Sequence, residues 1–285
     1  MYNRLTALGH MWRHLIILLA LSFVFFPVAW VISASFDGTN SLVKQSLVPT
    51  VATLENYRSL MAEPRYPFLI WMWNSIKVSG ISALLSVWLC ALAAYAFSRF
   101  RFKGRRTGLF ALILVQIFPQ MLAVVSLYLL LLSVGRVAPA LGLNTHAGLI
   151  MVYLGGAIGI NTWLMKGYFD TIPRSLEESA MLDGATPFAA FWRIILPLVR
   201  PILVVVFILA FIGTYSEFML AQVMLQSTDK LTLAVGMNLF LGDQYAKRWG
   251  VFSAAAIIAS APIVLIFLTL QRQLISGLTQ GGVKG

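Results

Sequence analysis

The side chains able to do chemistry are few, and their spacing decides what they can do. Ten Asp and Glu and three His are spread over 285 residues. Three of the acids, Glu177, Glu178 and Asp183, fall inside one charged, Gly-punctuated stretch, "SLEESAMLDGATPFAAFWRIILPLVRP" at residues 175–201, between two long apolar runs. There is no "HExxH" zinc motif and no "GxxxxGK[ST]" phosphate loop, so ATP cannot be held in the usual way. Cys90 is the single cysteine, which excludes an internal disulfide or a Cys-based zinc site. His10, His14 and His146 fall in predicted tails or loops, away from any proton relay. No catalytic group, no metal and no cofactor bound by this chain is expected.

The elements that position the charged stretch must be membrane helices. The chain is 59% hydrophobic and 11% charged, whereas a soluble domain carries about 25% charge. The net charge of +11 is read as the Lys and Arg excess of cytoplasmic loops, which fixes orientation, and not as a nucleic-acid footprint. Nucleic acid is not an expected partner; the lipid bilayer is.

Six runs are long enough to span, at about residues 15–36, 78–97, 109–132, 147–164, 202–225 and 252–270. They make one all-α polytopic domain over residues 1–285. The first run is longer than a signal-peptide core and is taken as an uncleaved anchor. Before the second, Trp71, Trp73 and Lys77 suit an interfacial belt. The short basic loop "RFRFKGRR", residues 99–106, belongs inside. Both termini and the charged stretch are then cytoplasmic.

The charged stretch reads as two short helices and a turn, with a coupling loop over about residues 168–200. Ser175 and Glu178 form a capping box that starts a helix at Leu176. Gly184 supplies a left-handed stop. Thr186 and Pro187 open a second helix, whose Phe188, Phe191, Trp192 and Ile195 share one apolar face until Pro197 and Pro201 interrupt it. Such a pair either lies in the headgroup layer or projects its polar side to a cytoplasmic partner. Periodicity leaves both open.

The spacing resembles a known pattern. Glu178-Ser179-Ala180, three residues, Gly184, nine residues, then Ile194-x-Leu196-Pro197 is similar to the "EAA" loop of bacterial ABC-importer permeases, with Ser179 where that pattern has Ala. "GLNTHAGLI" (142–150), "LDGATP" (182–187), "LTLAVGM" (231–237) and "GLTQGGVKG" (277–285) resemble the permease subunits of maltose/maltodextrin importers. The likeness is densest from Trp71 onward. It implies the type I importer permease fold: six transmembrane helices with a cytoplasmic coupling-helix loop, in a bacterial inner membrane. It also implies that Glu178, Ser179, Ala180, Gly184, Ile194, Leu196 and Pro197 couple to a homodimeric ABC ATPase, which holds ATP and Mg. A sister permease and an extracytoplasmic sugar-binding protein complete the machine. The external loop at about residues 226–251 would reach into that binding protein, and the tail 277–285 would lie between the ATPase subunits.

A translocation path through the spans would need polar side chains. Gln116 and Gln120, four apart with Pro119 between them, either line such a path or bridge to neighbouring helices. Asn161 is similar, and Lys166 snorkels. Glu217 is the one acid inside a predicted span, about 24 Å along a helix from Pro201 and so near the outer edge. There a solvated or hydrogen-bonded carboxylate is the expected state. A self-sufficient secondary transporter would need mid-membrane ionisable groups, and a membrane enzyme a nucleophile–base or metal cluster. The spans offer neither. An ABC importer for a different sugar remains open.

Overall fold

A computed structural model describes residues 7–39, 46–49, 51–64, 66–117, 120–242 and 248–282. Among them the chain is helical, and its one extended pairing is the isolated bridge between Asp37 and Ala52. Four helices are long and apolar enough to cross a membrane, or up to six if each of two bent pairs is one span.

The first expected span lies within α1, Ala7–Phe36. His10 and His14 belong to this helix and not to a tail, with His14 Nδ1 2.7 Å from the His10 carbonyl. The second lies within α3, Phe68–Arg99, which begins ten residues before the apolar run. Trp71 therefore has a different role from the one its type suggested. It is 0% exposed and donates its indole N–H to the Thr228 carbonyl at 2.7 Å; Trp73, two residues on, is exposed. A Trp that can satisfy its N–H internally is free to join a core.

The third expected span is not one straight helix. It divides into α4, Arg105–Ile117, and α5, Gln120–Val137, inclined at 104°. Pro119 lies outside the described residues. The fourth span is α6, His146–Phe169. The fifth expected run, 202–225, also divides: α10, Arg200–Tyr215, ends before Glu217, and α11, Met219–Met224, follows. Before α10 come α7, Ser175–Leu182, α8, Pro187–Ala190, and α9, Leu196–Leu198. The sixth span lies in α13, Trp249–Gly282, with Pro262 inside. Its backbone stays helical as far as Gly282.

The chain forms two compact units. In the one made of residues 1–68 and 236–261, α2, Glu55–Ala62, packs on the end of α1. The buried Asn56 amide donates to the carbonyls of Ser35 (3.0 Å) and Asp37 (2.9 Å). Arg248 pairs with Glu63 at 3.1 Å. In the unit of residues 69–235 and 262–285, one core joins Cys90, Ala94 and Tyr95 of α3, Met165 and Phe169 of α6, Phe191 and Ile195, and Ile202 and Val206 of α10. That core carries the charged stretch.

Candidate functional site

The first helix of the stretch starts earlier than its capping box implied. Arg174, just after Pro173, is already in helical geometry and occupies the cap position, with no side-chain cap. Ser175 is thus inside the first turn and cannot cap it. The stop behaves as expected. Gly184 has φ +90°, the Ala185 N–H donates to the Ala180 carbonyl at 2.9 Å, and the Gly184 N–H to that of Met181 at 3.1 Å. This paired bonding closes the helix end in a Schellman turn, and only Gly takes that φ without a Cβ clash. Thr186 then accepts from the Ala189 N–H at 3.2 Å, with Pro187 in the first turn.

Beyond that start the second helix departs from the expected geometry. Residues Phe191–Ile195 form a π turn between α8 and α9, which resets the register. Phe191 and Ile195 are buried while Phe188 and Trp192 are exposed, so the four do not share one face; Trp192 packs edge-on against Trp88, ring centroids 5.3 Å apart. Pro197 does not interrupt the rod. The bend, 76°, falls at Val199, and Pro201 sits in the first turn of α10.

Glu178 and Ser179 project outward, as do Gly184 and Pro197, whereas Ala180, Ile194 and Leu196 are half-buried. Leu182 at the tip is 89% exposed. Beside them lies the residue that spacing did not single out. Glu177 is buried and pairs with Arg99 at the end of α3. The Tyr95 hydroxyl donates to its other oxygen at 3.1 Å. A signal existed in the doublet: adjacent helical residues point about 100° apart, so Glu177 and Glu178 cannot share one outward face. Arg99, counted among loop charges, is instead the buried partner.

Lys166 pairs with Asp170, one turn on, at the end of α6. The Ser98 hydroxyl donates to Asp170 at 2.6 Å, and Arg174 donates to the Ser98 carbonyl at 2.9 Å. Burial opposes ionisation of Asp170, but hydrogen bonds from Lys166 and Ser98, with the charges of Lys166 and Arg105, hold its carboxyl below the ordinary range. A carboxylate at a helix C-terminus opposes the helix dipole; these donors compensate.

Of the path candidates, Asn161 and Glu217 line one cavity of about 280 Å³, with Tyr153, Gly156, Gly213 and Thr214. Glu217 sits between α10 and α11, half-buried and fully engaged. It accepts from the Tyr153 hydroxyl at 2.8 Å and from the backbone N–H groups of Leu220 (2.8 Å) and Ala221 (3.0 Å). Gln116 takes the bridging role: its amide donates to the Gly156 carbonyl and accepts from the Ile160 N–H at 3.2 Å. It shares no helix face with Gln120, which lies beyond the break and whose side chain is outside the described set.

The motif pieces at the other end of α6 hold a loop in place. Asn144, with φ 58°, accepts from the N–H groups of Gln226 and Ser227, both at 3.1 Å. His146 bonds the Lys230 carbonyl at 2.8 Å, and Asn74 of α3 donates to those of Asp229 (2.8 Å) and Leu231 (3.0 Å). His146 therefore opens α6 as a structural tie. Helix α12, Leu233–Gly242, follows that loop.

Among the described residues no three His, Cys, Asp or Glu gather as metal ligands. The charged stretch carries a short turn between two helices, with Glu178, Ser179 and Leu182 exposed and Glu177 buried. The model of the binding-protein-dependent transport system inner membrane component family matches residues 78–280. The chain belongs to this family. Its relatives within the family include the maltose/maltodextrin transport system permease protein MalG of Vibrio vulnificus strain YJ016, 46% identical over 283 residues and 95% of each chain. MalG of Escherichia coli K12 is 44% identical over the same length and coverage. A crystal structure of a bacterial ABC transporter that imports the acidic polysaccharide alginate has a chain of this fold, with TM-score 0.78 at 22% identity, covering 96% of this chain and 99% of that one. A second, of the alginate transporter in complex with its pentasaccharide-bound periplasmic protein, gives 0.65 at 19% identity over 91% and 92%. As a transport permease component this chain is a multi-pass membrane protein, not itself the ATPase.

Proposed function

We propose that the chain is a permease subunit of an ATP-driven importer for maltose and maltodextrins, working by alternating access with both termini on the cytoplasmic side. The observation that carries the substrate assignment is the end-to-end identity, 44–46%, with permeases bearing that name. The elbow of α7 and α8 is the coupling element. Glu178, Ser179, Ala180 and Gly184 form the part that meets a homodimeric ABC ATPase, which binds ATP and Mg. Ile194, Leu196 and Pro197 carry the return into the bilayer. Gly184's left-handed stop and the Thr186 cap support this reading, because a capped, short rod transmits displacement that a floppy loop would absorb. A sister permease completes the pore, and Asn161 and Glu217 face the sugar's route; Gln116 serves α4–α6 packing instead. An extracytoplasmic sugar-binding protein delivers substrate to the opposite face, at residues 226–251.

Closure of the ATPase dimer would bias the spans between two packings, one open on each side. The energy comes from nucleotide in the partner; this chain supplies shape, polar lining and a lever. The test is gentle purification with identification of the co-purifying chains, followed by ATP turnover with a sugar panel. Co-purification of an ABC ATPase with stimulation by maltose supports the reading, stimulation by another sugar alone reassigns the substrate, and absence of any ATPase overturns it.

A further inference from the structure

Glu178 faces outward, whereas its neighbour Glu177 is buried. Glu177 and Arg99 have side chains only 7% and 6% exposed, and their contact is the centre of a compact node. Arg99 also donates to the Ile172 carbonyl at 3.0 Å and lies 3.3 Å from the Ser98 hydroxyl. The Tyr95 hydroxyl reaches Glu177 and, at 3.3 Å, the Pro187 carbonyl. The Tyr95 ring packs on Phe191 at 4.7 Å and Phe100 at 5.7 Å. The last two turns of α3 thereby grip the loop before α7, α7 itself, the start of α8 and the π turn, all at one place.

We propose that Glu177 is the positioning residue of the coupling element, and that its pair with Arg99 is the strut linking displacement of the elbow to the second span. This rests on the importer reading above. An ionised pair out of water is held tightly because neither partner can leave without stranding the other's charge. The guanidinium fork is planar and fixes direction as well as distance. Apolar packing at the same place is non-directional, whereas the ion pair ties Glu177 to one point on α3. The pair therefore sets how much elbow motion reaches α3, which Glu178, facing outward, cannot do.

The complete transporter in vesicles, with its ATPase, sister permease and binding protein, allows the test: sugar moved per ATP hydrolysed. Glu177→Gln and Arg99→Met are each expected to lower that ratio at least tenfold while the ATPase still co-purifies at wild-type amounts. Glu177→Asp is expected to recover part of it. The decisive variant is Arg99→Met with Glu177→Met, because an apolar pair of similar volume removes the buried charges and tends to preserve stability. It is expected to accumulate normally and keep the low ratio. A wild-type ratio in either single variant or in the double overturns the proposal. So does a double variant that fails to accumulate, because the pair would then be holding the fold. If the wild-type complex itself moves no sugar with ATP, the importer reading has failed, and that control separates the two failures.

Discussion

The Tyr153 hydroxyl of α6 donates to the Glu217 carboxylate at 2.8 Å, at the break where α10 ends and α11 begins. The same carboxylate caps α11 through two backbone N–H groups. Glu217→Ala strands three donors at once and is expected to cost about 2 kcal/mol. Glu217→Gln keeps a carbonyl acceptor and is expected to lose less than half of that. Unfolding of the detergent-purified protein measures both; a loss below about 0.5 kcal/mol for Ala would remove the capping role.

At Gly159 the backbone of α6 lies tight against α4. A Cβ there would lie 2.3 Å from the Leu112 carbonyl oxygen, whereas one on Gly155 meets nothing within 4 Å. Gly159→Ala is expected to destabilise by roughly 1–3 kcal/mol through overpacking. Gly155→Ala is expected to be neutral or slightly stabilising, as Ala is in a helix interior. Equal stability of the two variants would contradict the close approach.

At the elbow, Gly184→Pro replaces a φ of +90° by one near −65° and removes the N–H that Met181 accepts. Glu178→Lys reverses the outward charge without touching the core. Both are expected to abolish sugar uptake while the chain still inserts and accumulates, read by uptake in vesicles beside membrane abundance. Gly184→Ala is expected to be intermediate, the left-handed conformation costing about 1–2 kcal/mol with a Cβ.

Asp170 gives the fold a defined acid sensitivity. Its folded carboxyl is held below the ordinary value, so its contribution is complete above the unfolded value, about 3.9. The contribution is lost as pH falls through the lower, folded one. Stability below about pH 4 is therefore expected to fall less steeply in Asp170→Asn than in the wild type. Parallel acid unfolding curves would show that the tie to Ser98 and Lys166 contributes nothing.

Much of the architecture was legible because the bilayer demands long apolar helices, and that signal survives without any knowledge of packing. Gly184, Thr186 and Pro187 were legible for a similar reason, since their backbone requirements are local. The capping box failed because the helix begins at Ser175 itself, with Arg174 after Pro173 at the cap, a matter of one residue that spacing cannot fix. The division of the fifth run at 216–218 was missed because mean hydropathy stays high on either side of Ser216 and Glu217 and averages over the two polar residues. Trp71 and Arg99 were misplaced because residue type reports what suits an interface or a loop. It does not report which carbonyl or carboxylate waits across 157 or 78 positions of chain.

The central claim is that this chain yields to work done by a nucleotide-driven neighbour. The most direct measurement places it in sealed vesicles, alone or with the sister permease, ATPase and binding protein, and follows labelled maltose with ATP or with an imposed ion gradient. Accumulation is expected only in the complete assembly with ATP. Accumulation by the lone chain down an ion gradient would contradict the account.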